Sequence, residues 1–260
     1  MHRFFVSADV RTGNTITLSG AVGHQIARVL RLRADEEIVL IPADVLDPVE
    51  WRICLETVGG HSVTGTVIAE RLRGTPEPEC KVTLYAALLK GERFDWLLQK
   101  ATEVGVSTIQ PVITRNTVRK VGADDRNARE RWRRIVTEAA EQCGRIRIPE
   151  VRPPLALGEI ALTGYDVVLC AFEAAVPETI ARHVSRGTQS VALLIGPEGG
   201  FTAEEARHLA EFGPARLVSL GPRTLRAETA GITALTLALA AAGDLEPRYE
   251  PHWRALDDTP

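Results

Sequence analysis

The break in pattern across residues 73–79 constrains this chain more than any other feature. The segment RGTPEPE combines a glycine, two prolines and charge, a composition that favours exposed, extended backbone and reads as a linker. Before it, in residues 1–72, short Val- and Ile-rich runs at 3–6, 15–18, 37–41, 51–58 and 62–69 predict strands separated by Gly and Pro turns. One helix interrupts them over residues 21–32, with Val22, Ile26 and Val29 or Leu30 at helical spacing. The combination predicts a small β barrel with a basic helix against its mouth. After the linker, residues 80–245 alternate strands (82–89, 108–113, 167–171, 191–195, 216–220) with helices (94–104, 128–143, 177–184, 203–212 and one running through Leu239). Near-continuous apolar strands alternating with helices imply an α/β domain whose parallel sheet is covered on both faces. The tail, 246–260, has three prolines and little apolar content, and is expected to be poorly ordered or to drape over a neighbour.

Composition narrows the function classes. No apolar run approaches a bilayer span, and the start MHRFF lacks the core of a secretion signal, so a cytoplasmic protein without a membrane partner is expected. The four cysteines, Cys54, Cys80, Cys143 and Cys170, are scattered without a Cys-x-x-Cys pair, which signals neither a metal site nor a disulfide framework. A net charge of −3 argues against a uniformly basic nucleic-acid binder, but phosphate contacts need only a local patch. Two such concentrations stand out. Arg3, Arg11, Arg28, Arg31 and Arg33 open the chain, and Arg115, Arg119, Lys120, Arg126, Arg129, Arg131, Arg133, Arg134, Arg145 and Arg147 follow in its middle. Each residue alone reads as part of a solvated face; two clusters in a chain of acidic balance favour an RNA or phosphate ligand.

The chemistry is concentrated in two late loops. In VALLIGPEGGFTAEE an apolar strand ends at Ile195, a turn of Gly196, Pro197, Glu198, Gly199 and Gly200 follows, and Thr202 with Glu205 forms a capping box. Glycines at the carboxyl end of such a strand let a ligand approach bare backbone, although tight turns use them for steric reasons alone. The turn has neither the Lys and Ser/Thr of a P-loop nor the dinucleotide spacing, which makes ATP and NAD poor fits. In LVSLGPRTLRAETAGITALTLALA a strand ends at Leu220, and a loop carrying Arg223 and Arg226 enters a small-residue helix with Glu228 in its first turn. Arg226 and Glu228 are expected to pair with each other, and two glycine-bearing loops after neighbouring strands suggest one shared pocket.

Taken in order, RFF near the start, HQIARVLRLR, KGERFDWLLQKATEVGVSTIQPV, EAAEQCGR, LLIGPEGGF and LGPRTLRAETA resemble the 16S ribosomal RNA (uracil(1498)-N(3))-methyltransferase family across nearly the whole chain. The resemblance implies a SPOUT-class methyltransferase domain with a deep C-terminal trefoil knot, an exception to the rule that chains avoid knots, preceded by a PUA-like barrel. It implies a homodimer acting on 16S ribosomal RNA within the assembled small subunit. It also implies S-adenosylmethionine held bent among three loops: Leu169, Ala171, Phe172 and Glu173; Ile195 to Gly200; and Leu220, Gly221, Leu225 and Arg226. Pro222, Thr224 and Gly231 depart from the family wording. Catalysis is assigned to Arg226, which would stabilise the uracil anion, with Glu228 or Glu198 as proton acceptor and Glu198 the better loop organiser. RNA contacts are assigned to Arg3, His24, Arg28, Arg31, Arg129, Arg133 and Arg223, and no metal is expected. The competing readings are a Rossmann-type methyltransferase, whose glycine turn would come early, a SPOUT 2′-O-ribose methyltransferase, and a non-catalytic RNA-binding protein.

Overall fold

The computed structural model describes residues 1–45, 49–60, 62–72, 77–118, 121–122, 125–173, 177–247 and 254–255; most of the expected linker and tail lie outside them. The chain divides into two units, the first comprising Met1–Glu77, Ala140–Ile148 and Pro247–Pro260, the second Pro78–Ala139 and Pro149–Glu246.

The first unit contains β1 (His2–Val6), β2 (Arg11–Thr12), β3 (Thr15–Leu18), α1 (Gly20–His24), β4 (Glu37–Pro42), β5 (Val49–Val58) and β6 (Val63–Leu72). These strands pair in the order β1-β4-β5-β6-β3-β2, and a short strand at Arg254–Ala255 adds antiparallel to β6. Among the described strands of this unit, only β1 and β4 pair in parallel. Side chains at every second position, Phe4 and Val6, Ile16 and Leu18, Ile38 and Leu40, Ile53 and Leu55, form one core with Ile26. The helix expected over 21–32 begins as α1, widens into a π-type turn at Gln25–Val29 and stops before Arg31, whose φ of 55° is left-handed.

The opposite pleat faces a second cluster, in which Phe5, Val39 and Ile41 pack with Ala140 and Ile146. Buried Arg145 pairs there with Glu77, and Glu77 Oε1 also accepts the amides of Ile146 and Arg147 at 3.2 Å. Residues 140–148 were expected in the larger domain; helical periodicity carries no information on which unit the far end of a helix packs against. Arg3 is a second correction. Its guanidinium pairs with the fully buried Glu50, which also binds Arg71 Nε at 2.6 Å, so Arg3 secures the sheet and is not a free phosphate contact.

The second unit contains β7 (Lys81–Ala87), α2 (Arg93–Val104), β8 (Thr108–Ile113), α3 (Arg126–Cys143), β9 (Glu150–Val151), β10 (Leu155–Ala156), β11 (Val167–Ala171), β12 (Ser190–Ile195), α4 (Ala203–Arg207), β13 (Arg216–Val218) and α5 (Ala227–Ala242). All its strand pairs are parallel, in the order β10-β8-β7-β12-β11-β13 with β9 along β8, as the alternating pattern predicts. Helix α2 buries Phe94, Leu97, Leu98, Ala101 and Thr102, the i, i+3, i+4, i+7, i+8 face of an amphipathic helix, and ends at Gly105 with φ 117°. The helix expected over 177–184 is a single turn, Ile180–Arg182: Thr179 is held extended by bridging to Ser219, leaving too few residues for a longer one.

Helix α5 tightens the packing around the site. A Cβ on Gly231 would lie 2.8 Å from Leu97 Cδ1, so glycine is what lets α5 approach α2. Ala234, Leu235, Ala238 and Leu239 are buried within the chain itself, and Leu237 is left outward. No helix among the described residues is long and apolar enough to cross a membrane.

Candidate active site

Because β11, β12 and β13 run parallel, their carboxyl ends share one edge of the sheet, where open α/β folds place ligands. The segments leaving them enclose a cavity of about 370 Å³, within the range of small-molecule sites. Its walls include Ala171, Phe172 and Glu173 from the first segment, Ile195, Gly196, Pro197, Glu198 and Gly200 from the second, and Leu220, Gly221, Leu225 and Arg226 from the third. Leu169 and Gly199 are not among its walls. Leu169 lies fully buried within β11, short of the strand end, and a Cβ on Gly199 would meet Asn116 Cβ at 3.3 Å.

The second segment is held from several directions. Gly200 adopts φ 68° and its amide donates to Pro197 O at 2.9 Å, closing the turn. Asn116 Nδ2 donates to the carbonyls of both Gly199 and Gly200 at 3.1 Å. The capping box forms as the spacing predicts: Thr202 Oγ1 accepts from the Glu205 amide at 3.1 Å, and Glu205 Oε2 accepts from the Thr202 amide at 2.8 Å. Glu205 Oε1 further accepts the amide of Arg115 at 2.8 Å. Gly196 has no room for a side chain, since a Cβ would stand 3.0 Å from Phe201 N and 3.2 Å from Gly200 C. The third segment turns at Gly221, φ 114°, whose amide donates to Ser219 Oγ at 3.2 Å.

The acidic residues separate by environment. Glu198 Oε1 accepts the Lys90 amide at 2.9 Å and lies 3.4 Å from Arg93 Nη1. Desolvation would raise this carboxyl, but the Lys90 amide, the residue's own amide and the charges of Arg93 and Lys90 outweigh it and hold it below the usual range. Glu198 therefore stays ionised through the neutral range. Glu228, in the first turn of α5, is paired with Arg93 (Oε1 to Nε 4.0 Å) and not with Arg226, correcting the expected pair. Arg226 is the extended N-cap residue just ahead of that turn, and it has no ion pair among the described residues. Glu228 Oε2 is buried without a hydrogen-bond partner among the described residues.

A more open groove adjoins the cavity and shares Arg93 and Arg226 with it; Lys90, Trp96, Glu228 and Thr229 also line it. Of the cations expected to bind RNA, His24, Arg28 and Arg31 are exposed in the first unit, Arg129 and Arg133 are exposed on α3, and Arg223 lines the cavity. Arg119 and Lys120 lie outside the described residues. The sequence reading missed Lys90, Arg93 and Asn116. A signal was present for the first two: KGER follows β7 after only Leu88 and Leu89, and Ala86 of β7 pairs with Ile195 of β12, so it leaves the same sheet edge as the glycine loop.

A family model described as an RNA methyltransferase domain matches residues 76–239. The chain belongs to the RNA methyltransferase family. Its similarity to named family members runs nearly full length. It is 30% identical to ribosomal RNA small subunit methyltransferase E of Bacillus subtilis over 91% of this chain and 95% of that one. Among solved structures, a methyltransferase of Legionella pneumophila in complex with S-adenosylmethionine superposes with a TM-score of 0.80 at 33% identity, covering 92% of this chain and 97% of that one. The ribosomal RNA small subunit methyltransferase E of Neisseria gonorrhoeae, bound to S-adenosylmethionine, gives 0.76 at 29% identity, covering 90% and 95%. The family's domain, residues 76–239, takes in all three segments around the cavity and the KGER turn beside it.

Proposed function

We propose that this chain transfers the methyl group of S-adenosylmethionine to N3 of a uridine in 16S ribosomal RNA, the position numbered 1498 in the family name. The observation that carries the reading is the convergence of three strand-end segments on one cavity bordered by Arg226, which has no ion pair among the described residues, in a chain of this family. The residues fit the cofactor. Gly196 and Gly200 offer backbone where a Cβ on Gly196 would meet backbone and a Cβ on Gly200 would stand 3.2 Å from Glu173 Oε1, and Phe172, Ile195, Leu220 and Leu225 supply apolar wall. These residues would hold S-adenosylmethionine, which supplies an already activated methyl group, so the protein's task is positioning and charge control.

Uridine N3 carries a proton and becomes nucleophilic as that proton leaves. Arg226 stays charged, and its fork suits an oxygen on which negative charge develops. Glu228 is the better acceptor for the proton, because its buried Oε2 lacks a donor that an imide N–H would provide. Glu198, satisfied by Lys90 and Arg93 and held a weak base, organises the loop. Arg28, Arg31, Arg129, Arg133 and Arg223 are proposed to meet RNA phosphates, the first two from a PUA-like domain. A C-terminal trefoil knot, homodimerisation, the assembled small subunit as substrate and a cytoplasmic location complete the reading. Mass spectrometry of 16S ribosomal RNA from cells lacking this chain tests it: one N3-methyluridine should vanish and return with the wild-type protein. An unchanged modification profile would refute it.

A further inference from the structure

The groove beside the cavity contains one large side chain with no task so far. Trp96 lies on the first turn of α2, beyond the buried Phe94, and is 44% exposed, whereas Trp51 and Trp132 are buried. An exposed indole is costly to leave in water and is a standard platform for a nucleic-acid base. Its neighbours are selective in kind. Arg93 and Arg226 are common to the cavity and the groove, and Glu228 lines the groove, its buried Oε2 without a donor among the described residues. Lys90 links the groove to a further depression lined by Val118 and Arg131, so the trough continues away from the cavity with cations along it.

We propose that this trough is the acceptor-strand site, in which the target base stacks on Trp96 and the flanking phosphates run past Lys90 toward Arg131. The inference rests on the methyl-transfer reading above and names where its substrate lies. A single-stranded or splayed nucleotide fits the trough, because a base reached by the cofactor must leave its helix and present an edge. Stacking presents the pyrimidine edge to Glu228 and Arg226 without sequence readout by Trp96 itself. A second copy of this chain could also cover an exposed tryptophan, but it would have to bring its own donor for Glu228 and anions for Arg226, whereas a uracil imide and its carbonyl oxygens meet both needs.

The test compares Trp96→Ala with Trp96→Phe in the full-length protein. Base–aromatic stacking is worth about 1–3 kcal/mol, so kcat/KM on small subunits should fall by roughly 5- to 150-fold in Trp96→Ala. Trp96→Phe should recover most of that loss, with S-adenosylmethionine affinity unchanged in both variants. A second readout does not depend on activity: with Trp253 replaced by Phe, indole emission should be quenched by a uridine-containing 16S fragment, and the quenching should vanish in Trp96→Phe. If the wild type quenches yet methylates no subunit, the methyl-transfer reading fails and the base site stands. A wild-type kcat/KM in Trp96→Ala overturns the proposal. So does a loss of activity that coincides with a change of oligomeric state in sedimentation velocity, which would assign Trp96 to a contact between copies.

Discussion

Replacing Gly196 with Ala probes the cavity at its tightest point. The added methyl would stand 3.0 Å from Phe201 N, 3.2 Å from Gly200 C and 3.2 Å from Phe201 Cδ2, against an ordinary contact of 3.4 Å or more. Relief therefore requires a movement of about 0.2–0.4 Å by backbone, not by the end of a flexible side chain. That backbone is anchored by Asn116 on Gly200 O, by the Gly200–Pro197 turn and by the Thr202–Glu205 box, so little of the strain can be released locally. Overpacking of this kind costs about 1–3 kcal/mol. If the loop holds its place, the cost appears as a melting temperature lower by about 2–10 °C. If the loop yields, it appears as S-adenosylmethionine affinity weakened roughly 5- to 150-fold, at a tenfold change per ~1.4 kcal/mol. Calorimetric titration and thermal melting of the same preparation divide the cost between these two routes. Gly221→Ala is the control, because its φ of 114° is strained for alanine but nothing lies within 4 Å of the new methyl. A Gly196→Ala protein with unchanged affinity and unchanged melting temperature would refute the reasoning.

Arg226→Lys keeps the charge and loses the fork, so single-turnover methyl transfer should fall by roughly a hundredfold or more while cofactor affinity stays within a few fold; a near-normal rate would leave Arg226 outside the chemistry. Removing Arg28 and Arg31 should lower the slope of log affinity for 16S RNA against log salt by about 2, and Arg31 is best replaced by Asn because its φ is 55°. An unchanged slope would move the RNA contact to another surface. Burial pushes the Cys170 thiol up to about 12, and burial with the charges of Asp244 and Asp166 pushes Cys80 up to about 11, so a thiol reagent at pH 8 should label exposed Cys143 and spare both. Labelling of Cys170 at the rate of Cys143 would show that β11 opens readily.

Much of the second unit is legible in the sequence because its signals are local. Strands 108–113 and 167–171 appear at the predicted bounds, and the Thr202–Glu205 box follows from spacing alone. Apolar runs bounded by glycine, and an oxygen three residues ahead of an acidic side chain, act within one turn of chain. What was not legible depends on pairs distant in sequence. Asn116 reaches Gly199 and Gly200 across more than eighty residues, and Glu77 meets Arg145 across 68. The Arg226–Glu228 pair was inferred from adjacency, yet Arg226 is the extended N-cap residue while Glu228 lies within the first turn of α5, where its partner is Arg93, more than a hundred residues earlier in the chain. Arg3 looked like a surface cation because nothing near it in sequence announces Glu50, buried on β5.

The placement of Arg93 ties these observations together. One guanidinium faces two carboxylates that differ in every other respect: Glu198 belongs to the glycine loop and receives a backbone amide, while Glu228 belongs to α5 and has one oxygen without a donor. Arg93 leads into α2, and α2 is the helix that Gly231 allows α5 to approach closely. The cavity wall, the groove wall and the start of α5 are therefore joined through one side chain whose charge is permanent. In such an arrangement Glu198 remains ionised and fixed, while Glu228 is held at 4.0 Å by the weaker contact and its buried Oε2 has no hydrogen-bond donor among the described residues. On the reading proposed above, proton acceptance would fall to Glu228 and loop organisation to Glu198, because Glu198 Oε1 already takes the Lys90 amide and faces Arg93 while Glu228 Oε2 has no donor among the described residues.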